Sequence, residues 1–284
     1  MLEFYTIENE ALSVKIKRKG AELCSVKDQK GIEFIWQAGN VWPKHAPNLF
    51  PIVGSLLDHE YFYYGSTYKL KHHGFARDVN FDVLHQSQHS ICFVLQQSAA
   101  TLKSYPFKFT LLITYTLIQN TLHQKFRVIN NDESVMPVSF GGHPAFNANP
   151  IDNYYIEFSE EETSKSNQLS GPYINNQEIA LIDKDKLTLS TSIFDDDALI
   201  FQNLKSEYVS LKSKTSNYEV KMNIAEFPYL GIWAKPNAPY VCLEPWQGLA
   251  DYLGHNKNIK DKKGIVEIES ESELAKKFSM EFSS

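Results

Sequence analysis

The sequence predicts an all-β protein: a large antiparallel sandwich of twisted sheets, read as one domain over residues 1–284. Three observations carry this reading. Apolar and polar residues alternate from end to end, short turn signals separate the alternating runs, and no segment sustains a helical period. Successive side chains of a strand point to opposite faces, so a period of two marks a sheet with one buried face. The aromatic content of 13% agrees, because flat rings pack well on a pleated surface.

The first clear strand sets Leu12, Val14 and Ile16 against Ser13, Lys15 and Lys17. Ile91, Phe93 and Leu95 repeat the pattern, and Phe107, Phe109, Leu111, Ile113, Tyr115 and Leu117 extend it furthest. Ile118-Gln119-Asn120-Thr121 joins that run to an antiparallel partner over 122–129. Val220, Met222 and Ile224 continue the alternation late in the chain. Further turns are expected at Lys19-Gly20, Asn130-Asn131-Asp132 and Asn175-Asn176. The polar, acidic stretch 159–171 reads as an exposed loop, and residues 249–255 allow a short helical turn at most.

A formal net charge of −6 argues against a nucleic-acid partner, which requires clustered cations. The basic runs Lys15–Lys19 and Lys260–Lys263 read as an exposed strand face and a solvated loop. Cys24, Cys92 and Cys242 stand far apart, which fits neither a disulfide framework nor a cysteine-based zinc site. No apolar run approaches the roughly 18 residues of a membrane span, and the charged N-terminus lacks a signal-peptide core. The expectation is a cytoplasmic protein without membrane contact, monomeric or homodimeric.

Four words interrupt the alternation. They are Asn48-Leu49-Phe50-Pro51-Ile52-Val53-Gly54-Ser55, His72-His73-Gly74-Phe75-Ala76-Arg77-Asp78, Gly141-Gly142-His143-Pro144-Ala145-Phe146 and Leu243-Glu244-Pro245-Trp246-Gln247-Gly248. Each sets a titratable or hydrogen-bonding side chain beside Gly or Pro, which fixes backbone geometry and admits a ligand. His73, His143 and Glu244 then allow three readings. They form a two-histidine, one-carboxylate metal site, a metal-free acid–base set, or independent structural groups in turns. No His-x-His or His-Glu-x-x-His spacing preorganises metal ligands, and no Gly-x-Ser-x-Gly elbow marks a nucleophile. Spacing alone does not join residues 70 and 101 positions apart.

Those four words, in this order and with Leu230-Gly231-Ile232-Trp233 before the last, resemble the aldose 1-epimerase (galactose mutarotase-like) superfamily and its LacX-type branch. The resemblance implies a β-supersandwich whose concave face holds one monosaccharide, with no cofactor and no metal. It implies interconversion of α and β anomers at C1 of an aldose such as galactose or glucose, with a sugar-binding or sensing protein without turnover as the alternative. A glycoside hydrolase is disfavoured because only Glu244 occupies a site word, whereas hydrolases bring two carboxylates to the bond.

Carried onto this chain, the resemblance makes Glu244 the base and His143 the acid. His73 holds the ring oxygen or a neighbouring hydroxyl and shares the acid role. Arg77 contacts hydroxyls or an attached phosphate, with an ion pair to Asp78 as its structural alternative. Asp197, one of three consecutive aspartates, corresponds to a sugar-binding carboxylate, and Trp246 and Trp233 are candidate stacking rings. One departure stands out: Ser55 occupies a position where the branch usually carries Arg. A cationic His72 is expected to replace part of that charge.

Overall fold

The long alternating run becomes the strand Phe109–Ile118, which turns at Gln119-Asn120 and pairs with Thr121–Asn130 in the computed structural model, which describes residues 2–284. Every second side chain of Thr121–Asn130 is buried, as a period of two requires. These strands sit within an antiparallel sheet of nine, which continues through Glu273–Ser283, Glu219–Asn223 and Tyr208–Ser213. Strands make up about 49% of the chain.

A second antiparallel sheet carries the irregular words. Its order runs Tyr173–Ile179, Ser166–Ser170, Leu199–Gln202, Tyr229–Trp233, Tyr240–Gln247, Phe140–Gly142, Asn48–Leu49. The inner faces of the two sheets meet through aromatic rings, with Phe126 of one 5.5 Å from Phe140 of the other. Phe158 and Phe201 repeat that contact at 6.1 Å. A third sheet of three strands, Phe4–Glu8, Leu12–Lys17 and Glu22–Asp28, feeds Ile7, Val14 and Ile16 into the same core.

Asn48 ties all three sheets together. Its amide donates to the carbonyls of Gly20 and Ala21 at 2.9 Å each, and its Oδ1 accepts from Gln124 Nε2 at 2.6 Å. A buried amide satisfied on both ends holds one geometry, because leaving either end unpaired costs about 1–3 kcal/mol. The start of the word 48–55 is therefore anchored in the core, and its far end is free to shape a cleft.

Three sequence expectations are corrected. The stretch 159–171 is not wholly an exposed loop, since Ser166–Ser170 is a strand with Ser166 and Asn167 buried. Glu162 is buried too, its carboxylate accepting the backbone N–H groups of Lys205 and Ser206 at 2.9 and 2.7 Å. Asn175-Asn176 lies inside the strand Tyr173–Ile179, and the chain reverses instead at Gly171-Pro172. Within the basic run 260–263, Lys262 is fully buried, 2.9 Å from the equally buried Asp251. Polar residues enter these interior positions because partners meet their hydrogen bonds. Residues 249–255 contain a turn and no helix.

Candidate functional site

The strand Tyr240–Gln247 is buried at all eight positions, covered by the core on one face and by a cleft on the other. Val241 and Leu243 join the core, while Glu244 and Trp246 line a cavity of about 440 Å³, within the range usual for small-molecule sites. Opposite Glu244 on the neighbouring strand is Gly231. A Cβ there would stand 2.6 Å from the Trp246 ring, so the glycine lets the indole lie flat as the floor of the cavity.

The other words reach the same cavity by different routes. His143 follows directly on the strand Phe140–Gly142, which pairs with Tyr240–Gln247 at Gly141 and Trp246. His73 adopts a left-handed φ of 63° and is held by Gly54 at two points. Its N–H donates to the Gly54 carbonyl at 2.9 Å, and the Gly54 N–H donates to its Nδ1 at 2.9 Å. Nδ1 is thus an acceptor, which leaves the single ring proton on Nε2. Gly74 completes the junction; with φ of 70° it packs so close to Phe50 that a Cβ would meet the Phe50 carbonyl oxygen at 2.3 Å.

His73, His143 and Glu244, separated widely in sequence, therefore line one cleft. Nε2 of His143 lies 3.1 Å from Oε2 of Glu244, and the His73 and His143 rings meet edge to face at 5.7 Å. Trp42 stacks on His143 at 5.2 Å and Trp233 closes its other side at 5.7 Å. Burial in this aromatic cage pushes the His143 imidazole down to about 3, with the Arg77 charge adding to the effect. Burial likewise pushes the Glu244 carboxyl well up, and the Asp197 charge adds to it. His73 is held well below its ordinary value by burial first and by neighbouring His72 second.

The two groups stand close enough for proton exchange, and burial favours a protonated carboxyl beside a neutral imidazole. Such a pair can give a proton at one atom and receive one at another, and both groups are within reach of a ligand in the cleft.

Unsatisfied polar atoms concentrate here. Five buried side-chain polar atoms lack a hydrogen-bond partner among the described residues. Four of them belong to this cavity: Nε of Arg77, Nδ1 of His143, Oε2 of Glu244 and Nε1 of Trp246. The Trp246 N–H is near the Glu244 carboxyl without being aligned on it as a hydrogen bond. Buried groups left unpaired cost stability unless a ligand completes them.

Arg77 donates from Nη2 to the His72 carbonyl at 2.8 Å, and its Nε stands 4.0 Å from Asp78, too far for a hydrogen bond. The guanidinium belongs to the cleft wall more than to an ion pair with Asp78. Of the three consecutive aspartates, Asp197 lines the cavity, turned in by a left-handed φ of 78°. His72 lies at the rim with Nδ1 2.8 Å from Ser55 Oγ. Although part of its surface is open, loss of hydration against the cleft wall and then the Arg77 charge push it down to about 4. Loss of hydration and the Arg77 charge thus work against a cationic His72 in the place of an arginine at position 55.

Sequence reasoning missed Trp42, Leu169 and Ile200, which form the apolar walls. Trp42 had one signal, a Trp-Pro step in a run without alternation; Leu169 and Ile200 look like ordinary strand residues.

A family model described as Aldose 1-epimerase matches residues 3–261. The plasmid and chromosomal forms of Protein LacX from Lactococcus lactis subsp. lactis are each 33% identical over 286 residues, covering 92% of this chain and 93% of the relative. The galactose mutarotase related enzyme from Lactobacillus acidophilus superposes with a TM-score of 0.94 at 35% identity, covering 99% of this chain and 97% of that one. A galactose mutarotase-like protein from Lactobacillus casei gives 0.94 at 30% identity, covering 99% and 100%. The galactose 1-epimerase from Lactobacillus acidophilus, at 14% identity and a TM-score of 0.73 over 98% and 93%, shares the fold.

Proposed function

The chain belongs to the aldose 1-epimerase family, and on that footing we propose that it is a mutarotase, interconverting the α and β anomers of a free aldose such as galactose or glucose. The observation that supports this most is the buried pair His143–Glu244, an imidazole and a carboxyl 3.1 Å apart in one cleft.

Anomer exchange requires the O1 proton to leave as the ring oxygen O5 receives one, so that the C1–O5 bond breaks and the open-chain carbonyl forms. Rotation about C1–C2 and the reverse steps then close the other anomer. Glu244 takes the O1 proton and His143 gives its proton to O5; on closure each proton returns. Burial favours the proton on Glu244 in the ligand-free cleft. Sugar hydroxyls donating to the carboxylate favour its ionised form, and the proton passes to His143 on binding.

The remaining groups orient the ring. The Nε2–H of His73 donates to O5 or a neighbouring hydroxyl, the Arg77 fork donates to hydroxyls, and Asp197 accepts from one. Trp246 offers an indole face to the apolar face of the pyranose. His72 with Ser55 supplies neutral polar contacts at the rim.

The test is polarimetric. Purified protein is expected to speed the decay of optical rotation of a fresh α-anomer, and Glu244→Gln to remove most of that acceleration. An unaccelerated decay across galactose, glucose and related aldoses would overturn the proposal, and saturable sugar binding in that case would mark a sensor.

A further inference from the structure

We infer that His143, Cys242 and Glu244 form a site for a thiophilic divalent cation, Zn²⁺ foremost, which blocks the acid–base pair when it binds. The inference uses the geometry of the cleft floor and goes beyond the mutarotase reading.

Cys242 and Glu244 are two residues apart on the strand Tyr240–Gln247, so their side chains leave the same face. His143 reaches that face from the end of Phe140–Gly142, a strand hydrogen-bonded to it. One ligand atom from each residue lies within 4.8 Å of the others, and all three residues are buried. Tetrahedral zinc with bonds of about 2.0–2.3 Å sets its ligand atoms roughly 3.5 Å apart. The histidine and carboxylate already stand at 3.1 Å, so closing the triad requires only side-chain adjustment.

A second observation points to a ligand independently. Oε2 of Glu244, aimed into the triad, is buried without a hydrogen-bond partner. A mixed sulfur, nitrogen and oxygen set selects zinc and similar ions over Mg²⁺ and Ca²⁺, which prefer oxygen alone. His143 and Glu244 border the cavity, from which water or a sugar hydroxyl would complete the tetrahedron, while Cys242 comes from the core behind them. Binding releases the thiol proton and the carboxyl proton to solvent, so the ion binds more tightly as pH rises. With Glu244 and His143 held as ligands, neither is available for proton transfer.

Titration of the full chain with Co²⁺ tests this optically, without reference to turnover. The expected result is a saturable thiolate-to-cobalt charge-transfer band at a single equivalent, removed by competing Zn²⁺. In Cys242→Ser the band is lost and Zn²⁺ binds roughly tenfold more weakly or worse; Cys92→Ser changes neither. Circular dichroism establishes that each variant is folded, and Cys242→Ala replaces the serine variant should that misfold. No band, or a band that persists without Cys242, overturns the inference. Inhibition of mutarotation by Zn²⁺, measured against each variant's own metal-free rate, is a separate arm, so failure of the metal site and failure of the mutarotase reading are distinguishable.

Discussion

Nε2 of His143 and Oε2 of Glu244 approach to 3.1 Å beside the half-buried rings of Trp42 and Trp233, joining residues that are 101 positions apart in the chain. An acid and a base this close are expected to act as a unit. Glu244→Gln and His143→Asn are each expected to lower kcat by about 10²–10⁴-fold, and the double variant to be scarcely worse than either. Single-turnover rates on a fresh anomer would reveal the opposite, multiplicative losses, if the residues worked separately.

The pH dependence has a definite sign. Burial holds His143 at about 3 and His72 at about 4, below the ordinary 6.5. The unfolded chain therefore protonates first, so the stability from these neutral imidazoles is present above about 6.5 and lost as pH falls through the folded values. Glu244 acts in reverse. Its raised carboxyl contributes fully below the unfolded value of about 4.3 and loses that contribution as pH rises through its folded value. Melting temperatures across pH should show a gentler acid decline in His143→Asn and a gentler alkaline decline in Glu244→Gln.

Gly231→Ala would place a Cβ 2.6 Å from the Trp246 ring. The indole must tilt, at an expected cost of about 1–3 kcal/mol in stability and a larger proportional loss in kcat/KM. Urea denaturation paired with Trp fluorescence checks both the cost and the tilt; unchanged fluorescence and KM would mean that Trp246 does not form the sugar platform.

Asp251 braces the cleft from behind. It pairs with buried Lys262, accepts the Leu57 N–H at 2.8 Å and donates its own N–H to the Ser55 carbonyl. Asp251→Asn leaves a buried ammonium without its counter-charge, with an expected loss of about 3–5 kcal/mol. Asp251→Leu combined with Lys262→Met should recover much of it, measured by chemical denaturation.

Among the described residues, Arg77 is the only arginine or lysine that lines the cavity. One guanidinium in a cavity that also holds the Glu244 and Asp197 carboxyls is a poor phosphate site. Calorimetry should find a free aldose bound at least as tightly as its 6-phosphate, with Arg77→Ala weakening the free sugar by roughly one to two decades.

Much of this was legible in the sequence, in a graded way. Alternation marked the strands around Leu111 and Val220 because each has one wet face. The Gly-Gly-His and Glu-Pro-Trp words marked the site because they break that rhythm, yet only the tertiary fold brings them together. Tertiary context also decided what the pattern obscured. Lys262 looks solvated in its basic run and is buried because Asp251 receives it. Ser166 and Asn167 look like loop residues and lie in a strand because the Ile200 backbone N–H donates to the Ser166 hydroxyl and the Gln202 amide donates to Asn167. The choice among three aspartates required a backbone torsion, which composition does not encode.

The strand Tyr240–Gln247 gives its first four residues to the core and then Glu244 and Trp246 to the cleft. Sliding it by a single position would exchange Leu243 for Glu244, dissolving the interior and the chemistry together. Under the proposed function, anomer exchange per mole of protein thus doubles as a gauge of assembly fidelity: a misregistered molecule is expected to be silent, and a working one to have threaded its central strand correctly.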